Sequence, residues 1–146
     1  MKIADMHCDT ISEIWESRKI GKPQQLFQNS LHVDIQKMQT ANYLLQNFAL
    51  YIDLKKGIDP FAYVLELVDV FQDEMQKNEK YICPVKTYGE IIANEKQGKM
   101  SALMTIEEGG CCKGPESYHL SNCAHDHTVH AHWNDLQQMA FWYVLQ

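Results

Sequence analysis

Short apolar runs alternate with longer amphipathic stretches along the first 106 residues of the chain. Lys2 to Met6 is a short apolar run and reads as a first strand. From Thr10 to Lys19 the spacing of Ile11, Ile14 and Trp15 predicts a short helix, with Thr10 as the residue that caps its start. Leu44 to Ile52 predicts a second strand, to which Phe48 and Tyr51 add β propensity. Asp59-Pro60 opens the clearest helix, since proline suits a first helical position, and Phe61, Val64, Leu65, Val68 and Phe71 form an apolar stripe for core packing. Thr87 to Asn94 predicts a further helix, and Gly98 marks the turn into a strand from Met100 to Ile106. Strands alternating with helices predict a parallel α/β structure.

Two of these strands close on groups that can bind metal. The first runs into Asp5-Met6-His7-Cys8-Asp9-Thr10, where His7 and Asp9 lie two residues apart and leave the same face of an extended chain. An imidazole nitrogen and a carboxylate oxygen together suit zinc, manganese or iron better than calcium. Cys8, between them, points the other way and is expected to pack in the wall beneath. The strand from Met100 to Ile106 runs into Glu107-Glu108-Gly109-Gly110. Read alone, those carboxylates are a solvated pair before a Gly-Gly turn, but functional groups in parallel α/β proteins gather where strands end in loops. His7, Asp9 and Glu108 are therefore expected to converge at the carboxyl ends of two neighbouring strands. His32-Val33-Asp34 repeats the His-x-Asp spacing, yet it precedes a helix-like stretch that Asp34 can cap, so a structural role is expected there.

Taken in order, the motifs resemble the membrane (renal) dipeptidase family of zinc metallopeptidases. Asp5-Met6-His7-Cys8-Asp9-Thr10 looks like its opening motif. His32-Val33-Asp34-Ile35-Gln36-Lys37-Met38, with Asn42-Tyr43-Leu44-Leu45-Gln46-Asn47-Phe48-Ala49-Leu50-Tyr51, is similar to its next block, and Ile106-Glu107-Glu108-Gly109-Gly110 to its Glu-Gly-Gly motif. The resemblance implies that His7 and Asp9 bind one zinc and that Glu108 bridges it to a second, a catalytic as well as a ligating role. It implies that two histidines much further along complete the second ion, in a region this chain does not contain. It also implies hydrolysis of the peptide bond of dipeptides by a hydroxide held between two zinc ions, whose charge brings the pKa of bound water to about 7. Another amidohydrolase-type metal-dependent hydrolase is the alternative, although such enzymes usually open on His-x-His and this chain carries Asp9. A non-catalytic remnant is a third reading.

The implied fold is the N-terminal portion of a metal-dependent-hydrolase-type (β/α)8 TIM barrel. A complete barrel takes about 250 residues, whereas this chain has 146, so residues 1–110 are expected to supply only the first β/α units. An incomplete barrel exposes strand edges, which favours self-association or completion by a partner. Little or no activity is expected of such a fragment.

Hydrophobic periodicity is lost after Gly110. The stretch from Cys111 to His132 holds three of the five cysteines and five of the seven histidines, a shift that marks a boundary. Residues 111–146 are thus expected to form a divergent tail, truncated or frameshifted, although Trp133-Asn134-Asp135-Leu136-Gln137-Gln138-Met139-Ala140-Phe141 is similar to a later family segment. Cys111, Cys112, Cys123, His125, His127, His130 and His132 lack the paired spacing of a structural zinc site, so adventitious metal binding is the better reading.

Charge and composition remove other classes. With a formal net charge of -6 and lysines scattered among acids, the chain offers no basic patch for nucleic acid. No run of about 20 apolar residues is present to span a bilayer, and the opening residues do not read as a signal peptide. An odd number of cysteines without framework spacing fits reduced thiols. A cytoplasmic location is the expectation.

Overall fold

The computed structural model describes residues 1–52 and 57–107. Among them, four parallel strands, β1 (Ile3–Asp5), β2 (Tyr43–Leu50), β3 (Ile82–Pro84) and β4 (Met100–Ile106), form one sheet in the order β1-β2-β4-β3. The helices are α1 (Thr10–Lys19), α2 (Ile35–Thr40), α3 (Pro60–Lys77) and α4 (Tyr88–Lys96). The parallel α/β alternation read from the sequence is what the chain adopts. None of the helices among the described residues is long and apolar enough to cross a membrane.

Strand order explains the two-sided packing. Connections β1 to β2 and β2 to β3 move one way across the sheet, while β3 to β4 steps back. Parallel crossovers are right-handed in nearly all cases, so reversing the step puts the connecting helix on the other face. The core divides accordingly. Ile11, Ile14 and Trp15 of α1, Ile35 and Met38 of α2, and Leu67, Val70, Phe71 and Met75 of α3 bury against Phe48, Leu50, Ala102 and Met104 of the sheet. On the opposite face, Ile91 of α4 packs with Leu44, Leu45, Val85 and Leu103. Strands covered on both sides should read as near-continuous apolar runs, and β2 and β4 are buried along almost their whole length.

Local sequence sets the element boundaries. Asp59 caps α3 by accepting the Phe61 amide at 3.0 Å, and Pro60 is the first helical residue. Thr87 and Glu90 form a reciprocal capping box at the start of α4. Gly98, at φ +71°, turns the chain out of that helix. Asp34 caps α2 by accepting the Lys37 amide at 2.8 Å, as expected, and its other oxygen lies 2.8 Å from Lys37 Nζ. His32 beside it is exposed.

Three expectations change. In α3 the stripe holds at Phe61, Val64, Val68 and Phe71 but not at Leu65, which is exposed, while Leu67, Val70 and Met75 are also buried. A polar clasp lies on the same buried face of the helix. Buried Glu74 accepts from Arg18 Nη2 of α1 at 2.6 Å and from the Leu26 amide at 2.7 Å. Second, β3 escapes sequence reading because it has three residues and ends on Pro84, which an edge strand tolerates because it has an unpaired side. Third, the cap position of α1 belongs to Asp9, and Thr10 is the first helical residue, buried in the core.

The carboxyl ends of three strands are tied by Asn47. Its carboxamide donates to the Met6 carbonyl at 2.9 Å and to Thr105 Oγ1 at 3.1 Å, and its backbone carbonyl accepts the Cys8 amide at 3.0 Å. Truncation by Asn47→Ala leaves the Met6 carbonyl and the Thr105 hydroxyl without their partner and should cost about 2–4 kcal/mol. The urea unfolding midpoint reads this, and a loss under about 0.5 kcal/mol would show the tie to be dispensable.

Asp34 generates a pH prediction. Burial raises its carboxyl pKa, but hydrogen bonds from the Lys37 side chain and from the Lys37 and Asn29 amides outweigh burial and hold it below the ordinary 3.8. Because the folded value lies below the unfolded one, this stability is complete above pH 3.8 and is lost as pH falls through the folded value. Asp34→Asn, which retains capping ability, should be less stable at pH 7 and should lose less stability than wild type on acidification below that point. Parallel acid limbs for the two proteins in urea titrations would refute the assignment.

Candidate metal centre

The parallel ladder between β1 and β2 continues past the end of β1. Cys8 donates its amide to Asn47 and accepts from the Ala49 amide, both at 3.0 Å. That extended geometry sends successive side chains to opposite faces. Cys8 enters the core on the α1 side, and burial, only partly offset by hydrogen bonds from Thr10, pushes its thiol up to about 11. It therefore stays a protonated wall residue and offers no thiolate near neutral pH, as the sequence suggested.

His7 and Asp9 emerge together on the exposed side. His7 Nε2 lies 3.5 Å from Asp9 Oδ1. The Asp9 side chain makes no capping bond to α1, although aspartate at that position normally accepts one. Its carboxylate is turned toward the imidazole instead and is left free to ligate. Asp5 supports the turn: its Oδ1 accepts the His7 amide at 3.1 Å, while Tyr43 Oη donates to Oδ2 at 3.4 Å. Burial, with the Asp5 charge beside it, raises the Tyr43 phenol above its usual range and keeps it a donor.

Strand β4 delivers a third group. Glu107 extends the ladder by donating its amide to the Leu50 carbonyl at 3.2 Å. Positions 105 and 107 share a face, and Thr105 is fixed on it by Asn47, with its hydroxyl donating to Asn47 Oδ1 at 3.2 Å. Glu107 Oε1 consequently sits 3.2 Å from His7 Nδ1. One donor atom from each of His7, Asp9 and Glu107 lies within 4.8 Å of the others, and all three residues are exposed.

The donor set fits a divalent transition metal. Nitrogen and carboxylate oxygen each bind zinc at about 2.0–2.2 Å, which separates two ligands of a tetrahedral ion by about 3.3 Å. The 3.5 Å between His7 Nε2 and Asp9 Oδ1 needs little adjustment. His7 and Asp9, singled out by their spacing, are thus brought together. Glu108 and the tail from Cys111 onward lie outside the described residues. The strands that carry the site are also not neighbours, because β2 separates β1 from β4. Glu107 was passed over in the sequence as half of a solvated pair. Its parity with Thr105 along β4 was the signal available for it.

Comparison with known proteins gives a family and a fold. Residues 1–115 match the family described as membrane dipeptidase (peptidase family M19). Among solved structures, a metallopeptidase from Rhodobacter sphaeroides, liganded with a phosphinate mimic of the dipeptide L-Ala-D-Ala, superposes with a TM-score of 0.72 at 13% identity. That match covers 88% of this chain and 44% of the other. Dipeptidase AC, a metallopeptidase of family M19, gives a TM-score of 0.69 at 14% identity, covering 84% of this chain and 41% of its own. The chain therefore spans less than half the length of these two proteins, and the likeness extends to part of a larger α/β fold. None of the curated proteins matches the chain. With the family matched over residues 1–115, and the opening and Glu-Gly-Gly motifs within that span, the chain belongs to the membrane dipeptidase family of metallopeptidases.

Proposed function

We propose that this chain carries the first metal-binding half of a zinc-dependent dipeptidase site, with dipeptides as the substrate class. The observation that carries the reading is the approach of His7 Nε2 and Asp9 Oδ1 to 3.5 Å at the mouth of the sheet, in a chain of this family. His7, Asp9 and Glu108 are the proposed ligands of one ion, and Glu108 is the carboxylate shared with a second. Zinc bound there supplies a Lewis acid and an activated water near neutral pH. His7 and Asp9 contribute one neutral and one anionic donor, held at a fixed separation by the ladder through Cys8. Asn47 keeps the β4 end in register with them. A cytoplasmic location is part of this reading, supported by the odd cysteine count and the absence of framework spacing.

Ligand number limits what the 146 residues can do alone. Of the residues that match the family motifs, His7, Asp9 and Glu108 would serve one ion and Glu108 alone the other, and a catalytic zinc usually takes three protein ligands plus water. Calorimetry of the purified chain should accordingly show one weakly bound zinc that is lost in His7→Ala. A dipeptide panel with added zinc should show little or no turnover. Zinc binding that is unchanged in His7→Ala would overturn the site assignment. Robust turnover abolished by the same substitution would show that these residues assemble a working site without further ligands.

A further inference from the structure

We infer that Glu107 is a positioning residue for the metal ligand His7, holding Nδ1 as the protonated nitrogen so that Nε2 faces the ion. The inference rests on the proposed site and adds to it a residue that the ligand set His7, Asp9 and Glu108 does not use.

The two nitrogens of His7 have different neighbours. Nε2 is 3.5 Å from Asp9 Oδ1, and Nδ1 is 3.2 Å from Glu107 Oε1. An imidazole gives one in-plane lone pair to one ion, and its nitrogens point apart. Since Nε2 lies on the side of the second ligand, Asp9, the nitrogen beside Glu107 is the one left to carry hydrogen. A neutral imidazole carries its proton on one nitrogen only, and the partner of the other nitrogen decides which. An ionised carboxylate accepts and never donates, and Glu107 at 3.2 Å is the nearer of the two carboxylates, so it favours the Nδ1–H form and leaves the Nε2 lone pair for a metal shared with Asp9. Carboxylates in this position also raise the basicity of the ligating nitrogen.

The backbone fixes Glu107 for this task. Its amide is bonded to Leu50 in the central strand, and two residues earlier Thr105 is bound to Asn47, which also holds Met6, the residue before His7. Imidazole and carboxylate are thus anchored to the same strand from either side. At 36% side-chain exposure Glu107 is also the least exposed of the three clustered groups, against 53% for His7 and 56% for Asp9.

Two measurements on the whole chain test this. Long-range proton–nitrogen correlation spectra of the metal-free protein, recorded over a pH series, should show the neutral form of His7 mainly as the Nδ1–H tautomer. Glu107→Ala should move it toward Nε2–H. Cobalt titration, followed by visible absorption, should show an affinity about 10–100-fold lower in Glu107→Ala. Glu107→Gln, whose amide oxygen can still accept from Nδ1, should recover most of that loss with the wild-type spectrum. An unchanged tautomer in Glu107→Ala would overturn the inference. So would equal loss in both variants with an altered cobalt spectrum, which would make Glu107 a ligand. Failure of wild type to bind cobalt would count against the proposed function, and the metal-free tautomer comparison would still decide the role of Glu107.

Discussion

Hydrogen bonds from one residue of the central strand keep the ends of three strands in fixed relation. Asn47 holds the backbone of Met6 with its side chain, the backbone of Cys8 with its carbonyl, and the hydroxyl of Thr105 with its amide. His7 lies between the first two contacts and Glu107 follows two residues after the third. A polar side chain that is only 4% exposed must find partners. The partners Asn47 finds are the flanking segments that carry the candidate ligands, so the requirement to satisfy a buried amide also sets the dimensions of the metal centre.

A second polar group organises the opposite, helix-covered face. Glu74 is fully buried and collects Arg18 from α1 and the Leu26 amide from the loop before α2. Its own backbone carbonyl accepts from Asn78 Nδ2 at 2.8 Å at the end of α3. Trp15 adds a neighbouring link, donating from Nε1 to Glu66 at 2.9 Å while its ring meets Tyr63 edge-on. With these contacts in place, an acid occupies the buried stripe of α3. A buried ion pair is weak evidence for net stability, but an unpaired buried acid is strongly unfavourable, which makes the helix orientation specific.

Much of the architecture was legible because it follows from local chemistry. The bounds of α1 and β4 coincide with those read from apolar spacing, and Asp34, Asp59-Pro60 and Thr87 mark helix starts through groups that bind nearby amides. What escaped depends on distant partners. Apolar spacing places Leu65 in the core of α3 and has no means of registering that Glu74, paired with Arg18 across 56 residues of chain, is buried on the same helix. At the site, His7 and Asp9 were legible as a pair two residues apart. Glu107 was not, since adjacent glutamates look alike until the face shared with Thr105 is known. The family resemblance named Glu108, and the described residues end one position before it.

The order β1-β2-β4-β3 has a consequence for how the chain is made. Among the described residues β3 has β4 as its only strand neighbour, yet it leaves the ribosome first, so it has no ladder to join when it appears. β2 likewise keeps one side unpaired while α3, β3 and α4 are synthesised. Only when Ile106 has emerged can β4 slide between them and close the sheet, and pairings of such long range are slow to form. Through that interval the nascent protein presents an apolar central strand with an open edge, the condition under which growing chains associate or call on chaperones. The strand that brings Glu107 to His7 is therefore also the one whose arrival pairs the open edge of β2.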